Sequence, residues 1–205
     1  MAAEFNFTYG TMGSGKSLSL CFDAKNYELQ NIPFLCLKPS VDTRENAPII
    51  RSRGGIEMPC ILIPRNKGIL DTLGSSIKSV KKIFIDEAQF LTPEQVDDLR
   101  YIVDSMNINV ECYGLLDDFR QKLFPGSERL ITRRARLHEI VIPCNSCHQN
   151  NAEVNARFDG DILVTEGEQV EIGGDEKYKA LCFKCFQTLK DKQEIFKKSP
   201  DTEKS

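Results

Sequence analysis

Gly10-Thr11-Met12-Gly13-Ser14-Gly15-Lys16-Ser17 sets glycines, a lysine and a hydroxyl at the spacing of a Walker A phosphate loop. The chemistry explains the spacing. Glycines let backbone N–H groups close around phosphate oxygens, and a helix starting at the lysine directs its positive end at them. Lys16 is placed to hold the β- and γ-phosphates of a nucleoside triphosphate, and Ser17 to put its hydroxyl on Mg²⁺. That metal also needs a carboxylate from a nearby strand end, and Asp86, closing the apolar run Ile83-Phe84-Ile85, is the candidate. Glu87 beside it is a second carboxylate, able to take a proton from an attacking hydroxyl or from water. The acidic pair points to nucleotide chemistry and leaves the acceptor open; its alternative is an acidic cap on the next helix.

A second group of chemical residues lies late in the chain. Cys144-x-x-Cys147 and Cys182-x-x-Cys185 have the spacing by which two knuckles each give two thiolates to one tetrahedral Zn²⁺. Four sulfurs fill the coordination sphere, so such a zinc is structural, and His148 is left outside it. A disulfide pairing is the alternative, disfavoured in a reducing compartment. The other four of the eight cysteines, Cys21, Cys36, Cys60 and Cys112, stand singly in apolar segments and read as core filling.

The elements that must position these residues follow from periodicity. Glu4 to Tyr9 alternates as a strand, and Lys16 to Gln30 carries apolar residues at helical spacing, so the phosphate loop joins strand to helix. Apolar runs at Phe34 to Leu37, Cys60 to Ile63, Ile83 to Ile85 and Val110 to Tyr113 read as strands, with a helix over Ile69 to Ile77. Thr92, Pro93 and Gln95 spell a capping box and first turn for a helix to Ser105. A helix over Glu128 to Ala135 and a strand over Glu139 to Ile142 complete the series. This alternation predicts an α/β fold of the P-loop NTPase type, a mostly parallel sheet flanked by helices, with ligands at the carboxyl ends of the strands.

The pattern breaks at Pro143, which places one domain over 1–142 and a smaller one over 143–190. Residues 191–205 are dominated by Lys, Glu, Asp, Ser and Gln and read as a disordered tail. A chain of 205 residues, 40% of them apolar, can bury a core for one such domain with an appendage. No run approaches the roughly 20 apolar residues of a membrane helix, and no export signal is visible, so a cytoplasmic protein without a membrane partner is expected. A net charge of -3 argues against a surface made mainly for nucleic acid.

Three of these motifs together carry a family resemblance: the Met12-x-Ser14-Gly15-Lys16-Ser17 loop ending, Asp86-Glu87-Ala88-Gln89-Phe90, and Gly114-Leu115-Leu116-Asp117-Asp118-Phe119. Further matches are Asp42-Thr43-Arg44, Ser52-Arg53, Glu166 to Val170 and Ile172 to Tyr178. In order and spacing, from residue 5 to about 187, the chain resembles the zinc-containing thymidine kinases of bacteria and animal cytosol.

The resemblance implies transfer of the γ-phosphate of ATP to the 5′-hydroxyl of thymidine, with deoxyuridine as another acceptor. It makes Glu87 the base for that hydroxyl, and lines the nucleoside pocket with Met12, Phe90, Leu115, Phe119, Phe124, Val170, Ile172, Gly173, Gly174 and Tyr178. Arg53 would stabilise charge on the transferring phosphoryl group. His148 to Leu181, too small to hold a shape alone, would form a zinc-stapled lasso recognising thymine largely through backbone groups. A homotetramer inhibited by thymidine triphosphate is also implied. Leu18, where the family usually has threonine, Phe183, where it usually has arginine, and Gly13 and Leu116-Asp117 depart from its pattern. The competing reading is a P-loop ATPase whose Glu87 activates water and whose zinc module grips nucleic acid.

Overall fold

The computed structural model describes residues 2–40, 47–169 and 177–198. In chain order these form β1 (Phe5–Tyr9), α1 (Lys16–Leu29), β2 (Phe34–Pro39), β3 (Ile49–Arg51), β4 (Glu57–Pro59), β5 (Ile61–Ile63), α2 (Ile69–Leu73), β6 (Lys82–Ile85), α3 (Pro93–Met106), β7 (Asn109–Gly114), α4 (Pro125–Thr132), β8 (Arg136–Glu139), β9 (Val154–Asp159), β10 (Ile162–Val164), β11 (Tyr178–Leu181) and α5 (Phe183–Lys198). Short 3-10 turns occupy Gly74–Ser79 and Ala88–Phe90.

Six strands pair in the order β5-β2-β6-β7-β1-β8, every pairing parallel. Strand periodicity sorts their side chains. Phe5, Phe7, Leu37, Ile63, Ile83, Ile85, Val110 and Cys112 face one core, closed by Ile69 and Leu73 of α2, the Val96-Leu99-Ile102-Val103 stripe of α3 and Leu130 of α4. Cys36, Phe84 and Tyr113 face the other, closed by Leu20, Cys21 and Ala24 of α1 and by Ile50 and Met58 of a β3–β4 hairpin. Helices therefore cover both faces, as an all-parallel sheet requires. Cys21, Cys36, Cys60 and Cys112 are all buried, as the apolar context of each implies.

By compactness the chain divides into two units. The first takes in Met1–Gly10, Ser14–Leu116 and Leu123–Ile140, and the second Thr11–Gly13, Asp117–Lys122 and Val141–Ser205. The second has its own antiparallel sheet, β10-β9-β11. Val154, Ala156, Phe158, Leu163, Leu181 and Phe186 pack there with Cys144 and Cys182. Apolar packing thus shares with the thiol cluster the support of a segment expected to depend on zinc alone.

Several expected boundaries shift. The helix expected to Ile77 tightens into 3-10 geometry at Gly74, whose φ is +51°. Pro125 opens α4 earlier than Glu128, with the following strand at Arg136–Glu139 instead of Glu139 to Ile142. The β3–β4 hairpin was not foreseen. Helix α5 continues past Asp191, where a disordered tail was expected, to Lys198, and Gln193 exchanges two hydrogen bonds with the Leu163 backbone of β10.

Candidate active site

The phosphate loop leaves β1 and ends at the start of α1. Gly13 and Gly15 have φ of +80° and +86°, values an L side chain rarely adopts, so glycine is what lets the loop curl before the helix. Gly15 is the N-cap residue, and neither a side-chain cap nor an acidic residue finishes the first turn of α1. Lys16 lies back along the loop, its Nζ donating to Gly10 O at 3.0 Å and reaching Ser14 Oγ at 3.4 Å.

Ser17 Oγ is 3.1 Å from both carboxylate oxygens of Asp86 at the end of β6. Hydroxyl and carboxylate thus face one another, the donor pair needed for a divalent cation beside phosphate. Burial first, and then the neighbouring Glu87 charge, push the Asp86 carboxyl up to about 6, against the opposing Ser17 hydrogen bond. A cation brought next to Asp86 would favour its ionised form.

Glu87 is half-buried and left-handed, at φ 52° and ψ 39°, a conformation that costs a non-glycine residue about 1 kcal/mol or more. Its carboxylate accepts from Gln89 Nε2 at 2.5 Å. Phe90 and Phe124 pack edge to face with centroids 5.8 Å apart, and Leu115 begins the segment after β7. Arg53 is exposed in the hairpin turn beside buried Ser52, whose hydroxyl bonds both the N–H and the C=O of Ile56.

In the second unit Phe119 is 2% exposed, with the guanidinium of Arg157 5.0 Å and that of Arg120 5.6 Å from its ring centre. Asp118 holds this turn by accepting from the Arg120 and Lys122 backbone N–H groups and the Arg120 side chain. Arg120 in turn donates to Gly167 O at 2.7 Å. Tyr178 opens β11 opposite Arg157. Met12 N donates to Asn155 Oδ1 at 2.7 Å, which ties Thr11–Gly13 to β9.

The Sγ atoms of Cys144, Cys147, Cys182 and Cys185 all lie within 4.8 Å of one another, and those of Cys147 and Cys182 are 3.9 Å apart. A tetrahedron of thiolates about 2.3 Å from Zn²⁺ sets its sulfurs roughly 3.8 Å apart, so the cluster has the donors and dimensions to hold a metal ion. Burial opposes ionisation of Cys144, but backbone N–H donors from Cys147, Cys182 and Ser146 outweigh it and draw the thiol down to about 6, toward the ligating thiolate.

The family model for thymidine kinase matches residues 3–186. The chain belongs to the thymidine kinase family. The thymidine kinase of Lactococcus lactis subsp. lactis (strain IL1403) is 38% identical over 182 residues, covering 89% of this chain and 96% of the relative. That of Shouchella clausii (strain KSM-K16) is 37% identical over 186 residues, covering 90% and 96%. That of Mannheimia succiniciproducens is 38% identical over 182 residues, covering 88% and 93%. Among solved structures, the Pif1 helicase of Candida albicans overlays 67% of this chain and 36% of its own, at 14% identity and a TM-score of 0.41.

Of the residues singled out for thymidine kinase chemistry, Lys16, Ser17, Asp86 and Glu87 fall on the first turn of α1 and the end of β6, with Ser17 and Asp86 in contact. The four cysteines meet as one cluster. Val170, Ile172, Gly173 and Gly174, like Asp42-Thr43-Arg44, lie outside the described residues. Two polar residues with no role foreseen for them are buried at functional elements: Gln89, 1% exposed, and Asn155, 4% exposed. A polar residue inside the strand run Val154 to Phe158 was the available signal for Asn155.

Proposed function

We propose that this thymidine kinase family member transfers the γ-phosphate of ATP to the 5′-hydroxyl of thymidine, giving the monophosphate. The observation that carries this reading is the family match over residues 3–186 on a chain whose phosphate loop ends against the Asp86 carboxylate. Lys16 and the backbone N–H groups of 10–17 hold the phosphates, and Ser17 and Asp86 are the residues to hold Mg²⁺. When bound, Mg²⁺ neutralises phosphate charge. Glu87 accepts the proton of the 5′-hydroxyl as its oxygen attacks phosphorus and the bond to the ADP oxygen breaks. Arg53 stabilises the charge spread over the transferring group.

Met12, Phe90, Leu115, Phe119, Phe124 and Tyr178 contact the nucleoside, together with Val170, Ile172, Gly173 and Gly174. Apolar and aromatic side chains suit a flat neutral base, and a carboxylate suits the hydroxyl of its sugar. The domains are a kinase domain over 1–142 and a zinc-stapled lasso over 143–190. The metal of the four-cysteine cluster is Zn²⁺ with a structural role, because protein sulfur fills all four positions. One zinc per chain is expected from metal analysis of the reduced protein, and finding none would remove the site. The enzyme works in the cytoplasm as a homotetramer, inhibited by thymidine triphosphate, with no nucleic acid partner. Among the described residues no helix is long and apolar enough to cross a membrane.

The testing experiment is steady-state transfer from ATP·Mg²⁺ to thymidine, deoxyuridine, deoxycytidine and deoxyadenosine, with hydrolysis measured with and without DNA. Thymidine monophosphate as the main product supports the reading. Hydrolysis stimulated by DNA with no nucleoside phosphorylated would replace it with the ATPase reading.

A further inference from the structure

The left-handed backbone of Glu87 needs support from its surroundings, since it is disfavoured on its own. The 3-10 turn Ala88–Phe90 supplies part of it, with Phe90 N bonded to Glu87 O and Leu91 N to Ala88 O. The rest comes from Gln89, whose two amide atoms are both engaged. Its Nε2 donates to Glu87 Oε2 at 2.5 Å, and its Oε1 accepts from Leu115 N at 3.0 Å, just beyond β7. The partners fix the orientation of the amide. A backbone N–H can only donate, so the oxygen must face Leu115, and the nitrogen then faces the carboxylate.

Two glycines make room for this arrangement. A Cβ at Gly114 would stand 2.5 Å from Gln89 Oε1 and 3.1 Å from its backbone N. One at Gly126, in α4, would stand 2.5 Å from Ala88 O and 2.8 Å from Gln89 O. Three of these four distances are under 3.0 Å, far inside van der Waals contact, so the turn carrying Glu87 is seated in notches that a larger residue would close. At 1% exposure, Gln89 is closed to bulk solvent, so a lost bond there is not simply replaced from the surface.

We propose that Gln89 is the positioning residue of the phosphoryl-transfer site: it holds the Glu87 carboxylate in the orientation from which it accepts the nucleoside proton. This rests on Glu87 being the base. A side-chain amide donates to the carboxylate and accepts from the backbone N–H with one planar group whatever the pH; glutamate can donate only as the protonated acid, with a second carboxyl then set against Glu87, and methionine does neither. A carboxylate released from the bridge samples other rotamers, and turnover falls without loss of substrate binding.

The test is a double-mutant cycle on the full chain: wild type, Gln89→Met, Glu87→Gln and the double variant, each read for kcat, for the KM of ATP and thymidine, and for Tm. Gln89→Met is similar in length, removes both amide bonds without adding a charge, and is expected to lower kcat by about 10- to 100-fold, with both KM values within about 3-fold. In the Glu87→Gln background the same change is expected to cost less than about 2-fold, because the base is already gone. Equal fold losses in the two backgrounds would overturn the proposal, as would near-normal turnover of Gln89→Met. Normal turnover of Glu87→Gln alone would remove the base, and the positioning role with it, a failure read from that single variant. Should Gln89→Met not fold, Gln89→Leu, which also has neither donor nor acceptor, is read in the same cycle with the same expectations.

Discussion

Helices α1 and α3 are each fourteen residues long, yet their first turns are finished in opposite ways. Helix α3 has a complete capping box: Thr92 Oγ1 accepts from Gln95 N at 3.2 Å, and Gln95 Oε1 accepts from Thr92 N at 3.0 Å. Pro93 fills the first turn and Glu94 adds a negative charge to it, while Gln95 Nε2 reaches on to the carbonyls of Pro64 and Lys67. Helix α1 begins at a left-handed glycine with no cap and no acid. The first four N–H groups of a helix need partners from outside it. In α3 side chains supply them for Thr92 N and Gln95 N, Pro93 has no N–H to satisfy, and the result is stability. In α1 no side chain caps the first turn, and a positive helix end without an acid beside it is what a phosphate-binding turn requires.

The largest expected effect lies at α1. Lys16→Ala should reduce phosphoryl transfer by about 100- to 1,000-fold while moving Tm little, because it removes a cation from the transferring phosphates and no apolar packing. A comparable loss of stability with only a modest loss of turnover would make Lys16 a structural residue and erase the contrast. At α3 the order reverses. Thr92→Ala should cost about 1 kcal/mol in denaturant unfolding and leave kcat and both KM values unchanged. A catalytic defect there would show that the two helix starts are not separate in purpose.

The smallest effect crosses the two. Leu18 stands in the first turn of α1 and is 41% exposed, so Leu18→Glu gives α1 the acid it lacks. The helix should gain about 0.5 kcal/mol while the KM for ATP rises several-fold, since the new charge competes with phosphate for the same dipole. Tighter ATP binding in that variant would contradict the assignment of this turn.

The capping box of α3 was legible because its residues act within four positions of each other, and so was each cysteine pair; the glycine-rich loop is longer, but its eight residues are consecutive. Parallel strands were legible from apolar runs long enough to show. The β3–β4 hairpin was not, since each strand is three residues and carries no periodicity. Strand β8 was misplaced because its four side chains are exposed at a sheet edge, while the apolar run just after it drew the assignment. The antiparallel sheet of the second unit rests on β9 pairing with β10 and with β11, nineteen residues on from its end at Asp159, a partnership no local pattern announces. The roles of Gln89 and Asn155 were not legible for a related reason, although a polar residue within an apolar strand run marked Asn155 as unusual. What each does depends on a partner brought by the fold, Leu115 in one case and Met12 in the other.

The most direct measurement is thymidine-dependent transfer by Glu87→Gln at saturating ATP·Mg²⁺, paired with calorimetric titration of ATP into the same variant. Turnover should fall by about 100-fold or more with the ATP dissociation constant within a few-fold of wild type, as expected when a general base is lost beside an intact phosphate loop. Turnover close to wild type would contradict the claim that the carboxylate at the end of β6 takes the proton.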